Sequence, residues 1–390
     1  MRTLPFEYAV RNLGRSRIRL MLSVIGSSLV VVLLLAAAAF VRGMERALQS
    51  TGEPDNVILV GAGSEESIER SEVDASVAGL VSASIMGIRS RAGVPYVSPE
   101  VQVQLVVKTR ADQPKGPIVM LRGITPAASL VHGSAQIVEG RMPMRAADEV
   151  MVGAMAATKM SMSEKEVAIG QSLIIDKRPF KIVGRFAAPG TVTEAEVWMP
   201  LTDLKQITKR TTDSCVVITL DPALSEFADV AAFVKTRPDL ELAATRETTY
   251  YAKLSKFFAP IQMMAWVTAS LIGLGGLFGG LNTMFAAFAS RVRELGTLQS
   301  LGFRRMAIVL SLVQESTLAT VVGALLASGL AILALDGIAV RFSRGAFGLV
   351  VDAPVILVGF GAGLALGLLG ALPPAWRCLR LEIPVALKSI

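Results

Sequence analysis

Four long apolar runs stand out in the pattern of hydrophobic and polar positions along the chain. A helix needs about 20 apolar residues to cross the hydrocarbon core of a membrane, and each run is longer than that. A single charged residue, Glu315, interrupts the third run. The pattern therefore predicts four membrane-spanning helices, at residues 20–41, 257–290, 306–335 and 353–376.

The second run is longer than a membrane requires. Its 34 uncharged residues would form a helix about 50 Å long, against a hydrocarbon core of ~30 Å. We expect residues 257–264 to project beyond the membrane as a stalk, and residues 42–48 to prolong the first helix in parallel.

A polar segment, residues 42–256, separates the first two predicted spans and shows mixed strand and helix patterns. Short apolar runs, in part with a period of two, predict strands at 57–60, 101–108, 118–122 and 215–220. Residues 173–186 predict a hairpin whose charged turn contains Pro179. Residues 227–234 and 150–160 have helical patterns, at least in part, and residues 64–91 predict a helix plus a loop.

The composition agrees with a membrane protein that has a large polar part. With 52% hydrophobic and 18% charged residues, the chain resembles neither a water-soluble nor a disordered protein. The predicted fold class is membrane α-helical, one helix plus three, with a large α+β extracytoplasmic domain inserted between helices 1 and 2. Two cysteines and one histidine exclude a disulfide framework and a multi-histidine metal site.

Basic residues flank the predicted spans and orient them. Residues 42–256 carry a net charge of −1, and the rest of the chain carries +8. Because basic flanks stay in the cytoplasm, both termini are expected inside and the large domain outside. The cytoplasmic parts are then 1–19, 291–305 and 377–390, and the outer parts are 42–256 and the short loop 336–352. The high pI reflects this topology, so nucleic acid is not an expected partner.

The first run also differs from a cleaved signal peptide. A signal-peptide core has about 7–15 apolar residues, whereas this run has 22 and is followed by Arg42. We therefore expect an uncleaved membrane anchor.

Residues 42–256 show no recognisable catalytic or metal-binding motif. HExxH, GxSxG and Cys/His clusters are missing from the sequence. His132 lies in a Gly/Ser stretch and is expected to be a solvated loop residue; a general base or metal ligand is the less favoured alternative. Cys215 opens an apolar strand and is expected to be a buried small hydrophobe. A binding or force-transmitting module fits this segment better than an enzyme.

Small residues recur at a spacing of four in two of the spans. This spacing places them on one helix face, where helix backbones approach closely in lipid. Static packing within one bundle and packing across a moving interface between helices or subunits are equally compatible with the pattern. The residues are Gly275, Gly276, Gly279 and Gly280 in the second span and Gly359, Gly363 and Gly367 in the fourth.

Glu315 lies nine residues into the third span. An ionisable group inside a membrane is costly, so a functional or pairing role is the default hypothesis. The alternative, which its depth favours slightly, places Glu315 near the cytoplasmic interface, within reach of water or of an arginine such as Arg305.

The loop 291–305 has the pattern of a short amphipathic helix that ends near Gly302. Apolar residues recur at three-residue spacing, at Val292, Leu295, Leu298 and Leu301. An apolar face exposed in the cytoplasm needs lipid headgroups or a partner protein to cover it, and the composition does not decide between them.

Several segments resemble the permeases of the MacB/FtsX/LolC group of ABC transporters. In the membrane part these are NLGRSRIRLMLSVIG (12–26), NTMFAAFASRVRELGTLQSLGFRR (282–305), VQESTLATVVGALL (313–326) and PPAWRCLRLEIPVALK (373–388). In the polar segment, IVEGRMP (137–143), ADEVMVG (147–153) and IGQSLIIDKRPFKIVGRF (169–186) are similar to the MacB-type periplasmic core domain. Together they follow the family's order along nearly the whole chain.

The resemblance implies a non-catalytic, stand-alone permease of the bacterial inner membrane that works with a separate ABC-type ATPase. ATP and Mg²⁺ are expected on that partner, since no G-x-x-x-x-G-K-[ST] sequence occurs in this chain. The family's mechanism is mechanotransmission, in which closure of the ATPase moves the membrane helices and, through the stalk, the periplasmic domain. The substrate is expected not to cross the membrane bundle. A homodimer or heterodimer is implied, with a periplasmic adaptor or outer-membrane channel as a further partner.

The resemblance also assigns residues to ATPase coupling. In this family the loop after the second span docks on the ATPase as a coupling helix, which would cover the apolar face of 291–305. The residues so assigned are Arg291, Arg293, Glu294, Leu295, Leu298, Leu301, Arg304 and Arg305.

Export or extraction of a periplasmic or outer-leaflet substrate is the favoured function. The alternative is an FtsX-type regulator that activates an external cell-wall hydrolase and transports nothing. A membrane-anchored enzyme is least favoured, because no catalytic constellation is visible. Lipoproteins, lipids, peptides and macrolide-like compounds all fit, so the substrate stays open.

Overall fold

The computed structural model describes residues 6–15, 17–110, 112–113, 115–343 and 345–380. Residues 1–5 of the predicted N-terminal segment and 381–390 of the predicted tail lie outside these ranges. The chain divides into two compact units. The first, called the bundle, comprises Met1–Arg42, Pro260–Ile338 and Leu349–Ile390, and the second, called the large domain, comprises Gly43–Ala259 and Ala339–Gly348.

Helices are numbered along the described part of the chain. They are α1 (Phe6–Arg15), α2 (Arg17–Gln49), α3 (Val77–Ser84), α4 (Ala128–Val131), α5 (Ala156–Met160), α6 (Leu201–Thr208), α7 (Phe227–Thr236), α8 (Glu247–Phe257), α9 (Ala259–Ala289), α10 (Val292–Ser300), α11 (Arg305–Ala334) and α12 (Ala353–Leu379). Within the described residues, four of them are long and apolar enough to cross a membrane, namely α2, α9, α11 and α12. The predicted plan of one span plus three is confirmed.

The first two membrane helices do not have the same bounds as the apolar runs. α2 continues through Arg42 to Gln49, as expected for residues 42–48. The run 257–290 is interrupted at its start, because α8 ends at Phe257 and α9 begins at Ala259. Pro260 has no N–H with which to continue the hydrogen-bond ladder of α8, which explains the interruption. At ~1.5 Å per residue, α9 is still about 46 Å long.

The strands are β1 (Asn56–Gly61), β2 (Ser90–Arg91), β3 (Val94–Pro95), β4 (Val97–Lys108), β5 (Ile118–Ile124), β6 (Gln136–Gly140), β7 (Glu149–Gly153), β8 (Ser172–Ile175), β9 (Arg178–Ala187), β10 (Val197–Pro200), β11 (Cys215–Thr219), β12 (Leu242–Arg246), β13 (Ala339–Arg341) and β14 (Ala346–Gly348). Ten of them form one sheet in the order β12-β1-β11-β4-β5-β10-β7-β9-β6, with β8 paired to β4 and β9. The pairs β5–β10 and β7–β9 are parallel, and the other pairs are antiparallel. The predicted mixed domain is confirmed.

Besides a smaller cluster around Phe186 and Trp198, the large domain holds two larger hydrophobic clusters. Strands β4, β5 and β7 to β10 with α5 and α6 enclose one of them, which includes Leu121 and Phe180. Strands β1, β11 and β12 with α3 and α7 enclose the other, which includes Leu59 and Ile218. Cys215 is fully buried at the start of β11, as the sequence predicts. Both clusters bury apolar side chains on the sheet and so contribute most of the driving force for folding the domain.

Three local predictions in this domain differ in detail from the structure. Residues 150–153 form part of strand β7, and only Ala156–Met160 is helical. Because β7 lies between β10 and β9 and is buried, it lacks the polar alternation that identifies a strand from sequence. The hairpin turn consists of Asp176 and Lys177, both with positive φ, and Pro179 lies in strand β9. Within the predicted short loop 336–352, β13 and β14 form a hairpin that belongs to the large domain.

A buried charge cluster lies where β4, β5 and β10 are adjacent in the sheet. The guanidinium of Arg122 donates to both carboxylate oxygens of Glu196 at 2.7 Å and to Glu100 at 2.7 Å. Trp198 also donates to Glu196, at 2.8 Å. All four side chains are almost completely buried. Arginine suits this position because its planar fork bonds two carboxylates at once.

His132 belongs to this cluster, so the prediction of a solvated loop residue is wrong. It follows α4, is 6% exposed, and its Nε2 lies 2.6 Å from Glu100 Oε1. Burial opposes the charge on Glu100, but His132 and Arg122 outweigh it and lower the pKa of the carboxyl to about 2. Burial likewise opposes the charge on His132, yet Glu100 outweighs it and raises the pKa of the imidazole.

Replacement of Arg122 by methionine should strongly destabilise the large domain. The change leaves the carboxylates of Glu100 and Glu196 buried without their cation, which costs about 3–5 kcal/mol of unfolding free energy. Thermal unfolding of the full chain in detergent measures the effect. An unchanged melting temperature would show that the cluster does not hold the sheet together.

The contribution of His132 should depend on pH. A group whose pKa is raised by folding stabilises fully below its unfolded pKa, about 6.5, and loses that contribution as the pH rises through the folded pKa. We expect the difference in melting temperature between the wild type and His132→Gln to be largest near pH ~6 and to shrink toward pH ~9. A difference that stays constant over this range would contradict the charged His132–Glu100 pair.

Candidate functional site

Helix α10 connects two membrane helices and occupies most of the predicted 291–305 helix. Arg291 is its N-cap, and Gly302 follows it with a φ of +89°, a conformation that glycine adopts without strain. The predicted end near Gly302 is therefore confirmed. α11 then begins at Arg305, with Arg304 as its N-cap.

The apolar face of α10 points into the bundle. Val292 and Leu295 are buried, and Leu298 packs against the same cluster, which contains Phe288, Ile308, Leu312 and Ala375. The expected exposed apolar face is therefore wrong for these three residues, because α9, α11 and α12 of the same chain cover them. Only Leu301 of the apolar series is exposed, by 60%.

The opposite face of α10 is polar and exposed. It includes Arg293, Glu294 and Thr297. The exposed surface continues through Leu301, at the end of α10, to Arg304 and Arg305 at the start of α11. The structure therefore divides the predicted coupling residues into two groups. Leu295 and Leu298 fix the helix in place, whereas Arg293, Glu294, Leu301, Arg304 and Arg305 are accessible to a partner.

Glu315 is buried in α11 and has specific partners. Arg291 Nη1 donates to its two carboxylate oxygens at 3.2 and 3.1 Å, and Asn12 Nδ2 donates to Oε2 at 2.5 Å. The pairing interpretation of Glu315 is therefore confirmed, but the paired arginine is Arg291. The predicted candidate, Arg305, instead donates to Gln299 at 3.4 Å.

This cluster extends toward the surface. Arg291 Nε donates to Glu294 at 3.2 Å, and Arg15 of α1 donates to the same carboxylate at 3.3 Å. Glu294 and Arg15 are exposed, so their pair contributes little by itself. The buried Arg291–Glu315 pair differs, because either charge alone would be left in a dry environment. Helices α1, α10 and α11 are thus held together by one polar network.

The predicted glycine faces divide into two groups. A side chain at Gly276, Gly359, Gly363 or Gly367 would collide with Val30, Leu35, Ala324 or Thr317, respectively, so these four glycines allow close packing inside the bundle. Gly275, Gly279 and Gly280 of α9 have open space beside them. A cavity of about 330 Å³ lies between α2, α9, α11 and α12 and is lined by Gly276, Gly279 and Gly280, among others.

Helix α9 has little cover within the described part of the bundle. Of its 31 residues, only Ala269 and Phe288 are buried. Because α9 is long and apolar, its exposed surface suits lipid or another membrane helix.

The sequence gives no signal for Asn12, the third member of the network around Glu315. Asn12 lies in a short amphipathic helix, and nothing in its neighbourhood points to a residue 303 positions away. Arg291 is predicted only as one of several coupling residues, because its charge pattern does not distinguish it from the other arginines of the loop. No group of three or more His, Cys, Asp or Glu side chains that could hold a metal occurs among the described residues.

Comparisons with known proteins agree with this architecture. Residues 20–246 match the family model of the MacB-like periplasmic core domain, and residues 266–383 match that of the FtsX-like permease C-terminal region. Among curated proteins, the chain is 23% identical over 223 residues to the macrolide export ATP-binding/permease protein MacB of Shewanella sp. (strain W3-18-1). It is 25% identical over 264 residues to the pyoverdine export ATP-binding/permease protein PvdT of Pseudomonas putida.

These alignments cover 55% and 62% of this chain but only 34% and 39% of the two relatives. Among solved structures, the periplasmic region of MacB from Actinobacillus actinomycetemcomitans is similar, with a TM-score of 0.40 and 13% identity, over 53% of this chain and 95% of that one. The extracellular domain of the ABC-type transporter YknZ from Gram-positive bacteria has a TM-score of 0.36 and 14% identity, over 49% and 98%. By the two family models, the chain belongs to the MacB/FtsX-like permeases of ABC transporters.

Proposed function

We propose that the chain is the permease subunit of an ABC transporter that passes ATP-driven movement from a separate ATPase to the large domain. Its task is export or extraction of a periplasmic or outer-leaflet substrate. The ion pair between Arg291 and Glu315 carries the proposal, because it joins the exposed helix α10 to a membrane-spanning helix. The two relatives named for export support transport over regulation of a hydrolase.

The charge distribution supports an orientation with α10 in the cytoplasm. The segments next to α1 and α10 are rich in arginine, whereas the large domain is nearly neutral. Basic flanks are retained on the cytoplasmic side. In this orientation the exposed face of α10 is accessible to a soluble ATPase, and the large domain lies in the periplasm.

In the proposed mechanism, the ATPase binds the exposed face of α10 and displaces this helix. The buried apolar face of α10 and the Arg291–Glu315 pair pass this displacement to α11, and Asn12 passes it to α1. A packed core transmits such a shift well, because interiors have low compressibility. α2 then runs without interruption from Arg17 to Gln49, the residue range in which the bundle ends and the large domain begins.

The substrate in this proposal does not cross the bundle. Glu315 is the only charged residue within the four predicted apolar runs, and its carboxylate already bonds Arg291 and Asn12. A path for a charged substrate would need further charged groups at membrane depth. ATP and Mg²⁺ are assigned to the ATPase, so this chain is proposed to be non-catalytic.

Helix α9 is proposed to contact a second permease subunit. Its exposed glycines, Gly275, Gly279 and Gly280, permit close approach of another helix backbone. Purification of the tagged chain with mass spectrometry identifies this subunit as a second copy or a different permease. The same experiment detects an adaptor or outer-membrane channel.

The central experiment is purification of the tagged chain from native membranes, followed by mass spectrometry and ATPase assay. We expect an ABC-type ATPase in the complex, no ATP hydrolysis by the isolated chain, and faster hydrolysis by the ATPase when the chain is bound. An ATPase that never co-purifies would refute the proposal. A cell-wall hydrolase among the external partners, with no adaptor or channel, would favour the FtsX-type alternative.

The exposed face of α10 should be the docking surface. The double variant Arg293→Glu/Leu301→Asp should lose the ATPase, because it alters two accessible side chains and leaves the buried face intact. Co-purification and the melting temperature are measured together. The matched control, Arg110→Glu/Leu224→Asp, makes the same changes at exposed positions of the large domain and should keep the ATPase. Retention of the ATPase by the α10 variant would exclude this surface.

Variants of the Arg291–Glu315 pair should separate its effect on stability from its effect on ATPase stimulation. Arg291→Met leaves Glu315 buried without this cation and should lower the unfolding free energy by about 3–5 kcal/mol, whereas Arg291→Met/Glu315→Leu should recover most of that loss. ATPase stimulation should stay low in both variants, since neither retains the ionic link between α10 and α11. Full stimulation in the stable double variant would mean that apolar packing alone transmits the movement.

A further inference from the structure

The hairpin between the last two membrane helices is part of the large domain. Strands β13 and β14 pair through Ala339–Gly348, Val340–Phe347 and Arg341–Ala346. α11 ends at Ala334, shortly before the hairpin, and α12 begins at Ala353, shortly after it. The chain therefore enters or leaves the large domain four times, twice through α2 and the α8–α9 segment and twice through this hairpin.

Lys159 of α5 holds the turn of this hairpin. Its side chain is buried, with a residue exposure of 8%, and its Nζ donates to the carbonyl oxygens of Phe342 at 2.7 Å and Ser343 at 2.8 Å. No carboxylate forms an ion pair with this ammonium among the described residues. Burial, with a smaller contribution from Arg341, lowers the pKa of Lys159. A buried ammonium held only by carbonyl groups is costly, so apolar packing alone does not account for a lysine here.

Further contacts fix the same turn. The ring of Phe342 lies 5.3 Å from that of Phe258, at the end of α8, and 5.6 Å from that of Phe347. Arg341 donates to the hydroxyl of Ser161, next to α5. Ala346 and Phe347 are buried. The hairpin is thus docked on the large domain by one buried cation and by aromatic packing.

We propose that Lys159 is a positioning residue that locks the α11–α12 hairpin to the large domain, so that the domain receives movement from α11 and α12 as well as from α2 and α9. The inference rests on the proposed transport function. The physical reason concerns the short connections 335–338 and 349–352, which join the hairpin to α11 and α12. They transmit force to the large domain only if the hairpin cannot slide on that domain. The lysine prevents sliding because its two hydrogen bonds end on consecutive carbonyls of the turn.

The test is hydrogen–deuterium exchange of the full chain in complex with its co-purified ATPase, without nucleotide and with ATP plus vanadate. In the wild type we expect a protected hairpin in both states and a nucleotide-dependent change in the large domain. In Lys159→Met the hairpin 339–348 should exchange faster, and the nucleotide-dependent change in the domain should be largely lost. The control Lys165→Met, at an exposed position of the loop that follows α5, should behave as the wild type.

A rescue experiment distinguishes positioning from general stability. Ser161→Cys and Arg341→Cys replace two side chains in contact, and a short bis-maleimide linking them should restore the nucleotide-dependent change in the Lys159→Met background. The two native cysteines are buried and are protected from the reagent. If Lys159→Met also loosens strands β4 and β5, Phe342→Ala serves as the second variant, with the same expected release of the hairpin.

Two results would overturn the inference while leaving the proposed function intact. One is a hairpin that stays protected in Lys159→Met, and the other is a released hairpin with a normal nucleotide response of the domain. Failure of the proposed function looks different, because the wild-type complex would then show no nucleotide response in the large domain at all.

Discussion

The buried ion pair between Arg291 and Glu315 is the interaction on which the arrangement of the bundle depends. A carboxylate within an apolar helix needs a partner, and Arg291 at the N-cap of α10 provides it, which places the start of α10 beside α11. The same requirement orders the apolar face of α10, since Val292 and Leu295 are then directed into the bundle. What α10 leaves accessible is a mainly polar surface, and this is the surface proposed to contact the ATPase.

Three buried cations play comparable parts in different places. Arg122 joins β4 and β5 to the start of β10, Arg291 joins α10 to α11, and Lys159 joins α5 to the hairpin between α11 and α12. With both cysteines free, the chain has no disulfide at these points. Each cation is oriented by its acceptors, and each joins separate elements of the fold. Such links suit a protein that is proposed to transmit movement, because directional hydrogen bonds resist sliding more than apolar contacts do.

The positions of the helices and strands can be predicted from the sequence, whereas the contacts between them largely cannot. The four spans follow from the length of the apolar runs, strand β4 follows from its period of two, and the β8–β9 hairpin follows from two apolar runs around a charged turn. The prediction for His132 is wrong because a Gly/Ser neighbourhood describes the local chain, whereas His132, at the end of α4, is buried beside Glu100 of strand β4. The prediction for the apolar face of α10 is wrong for a similar reason. Its spacing fits a helix covered by a partner and one covered by its own chain equally well.

Local sequence by itself determined the number of spans, the position of the inserted domain and the short helix between the second and third spans, because these depend on hydrophobic length and period. The family resemblance added the type of protein. Only the tertiary structure decided which charges pair, which face of α10 is free, and that the hairpin at 339–348 belongs to the large domain. The physical reason is that a buried charge is stabilised by groups that folding brings close to it. The separation of these groups along the chain does not indicate that they are close in space.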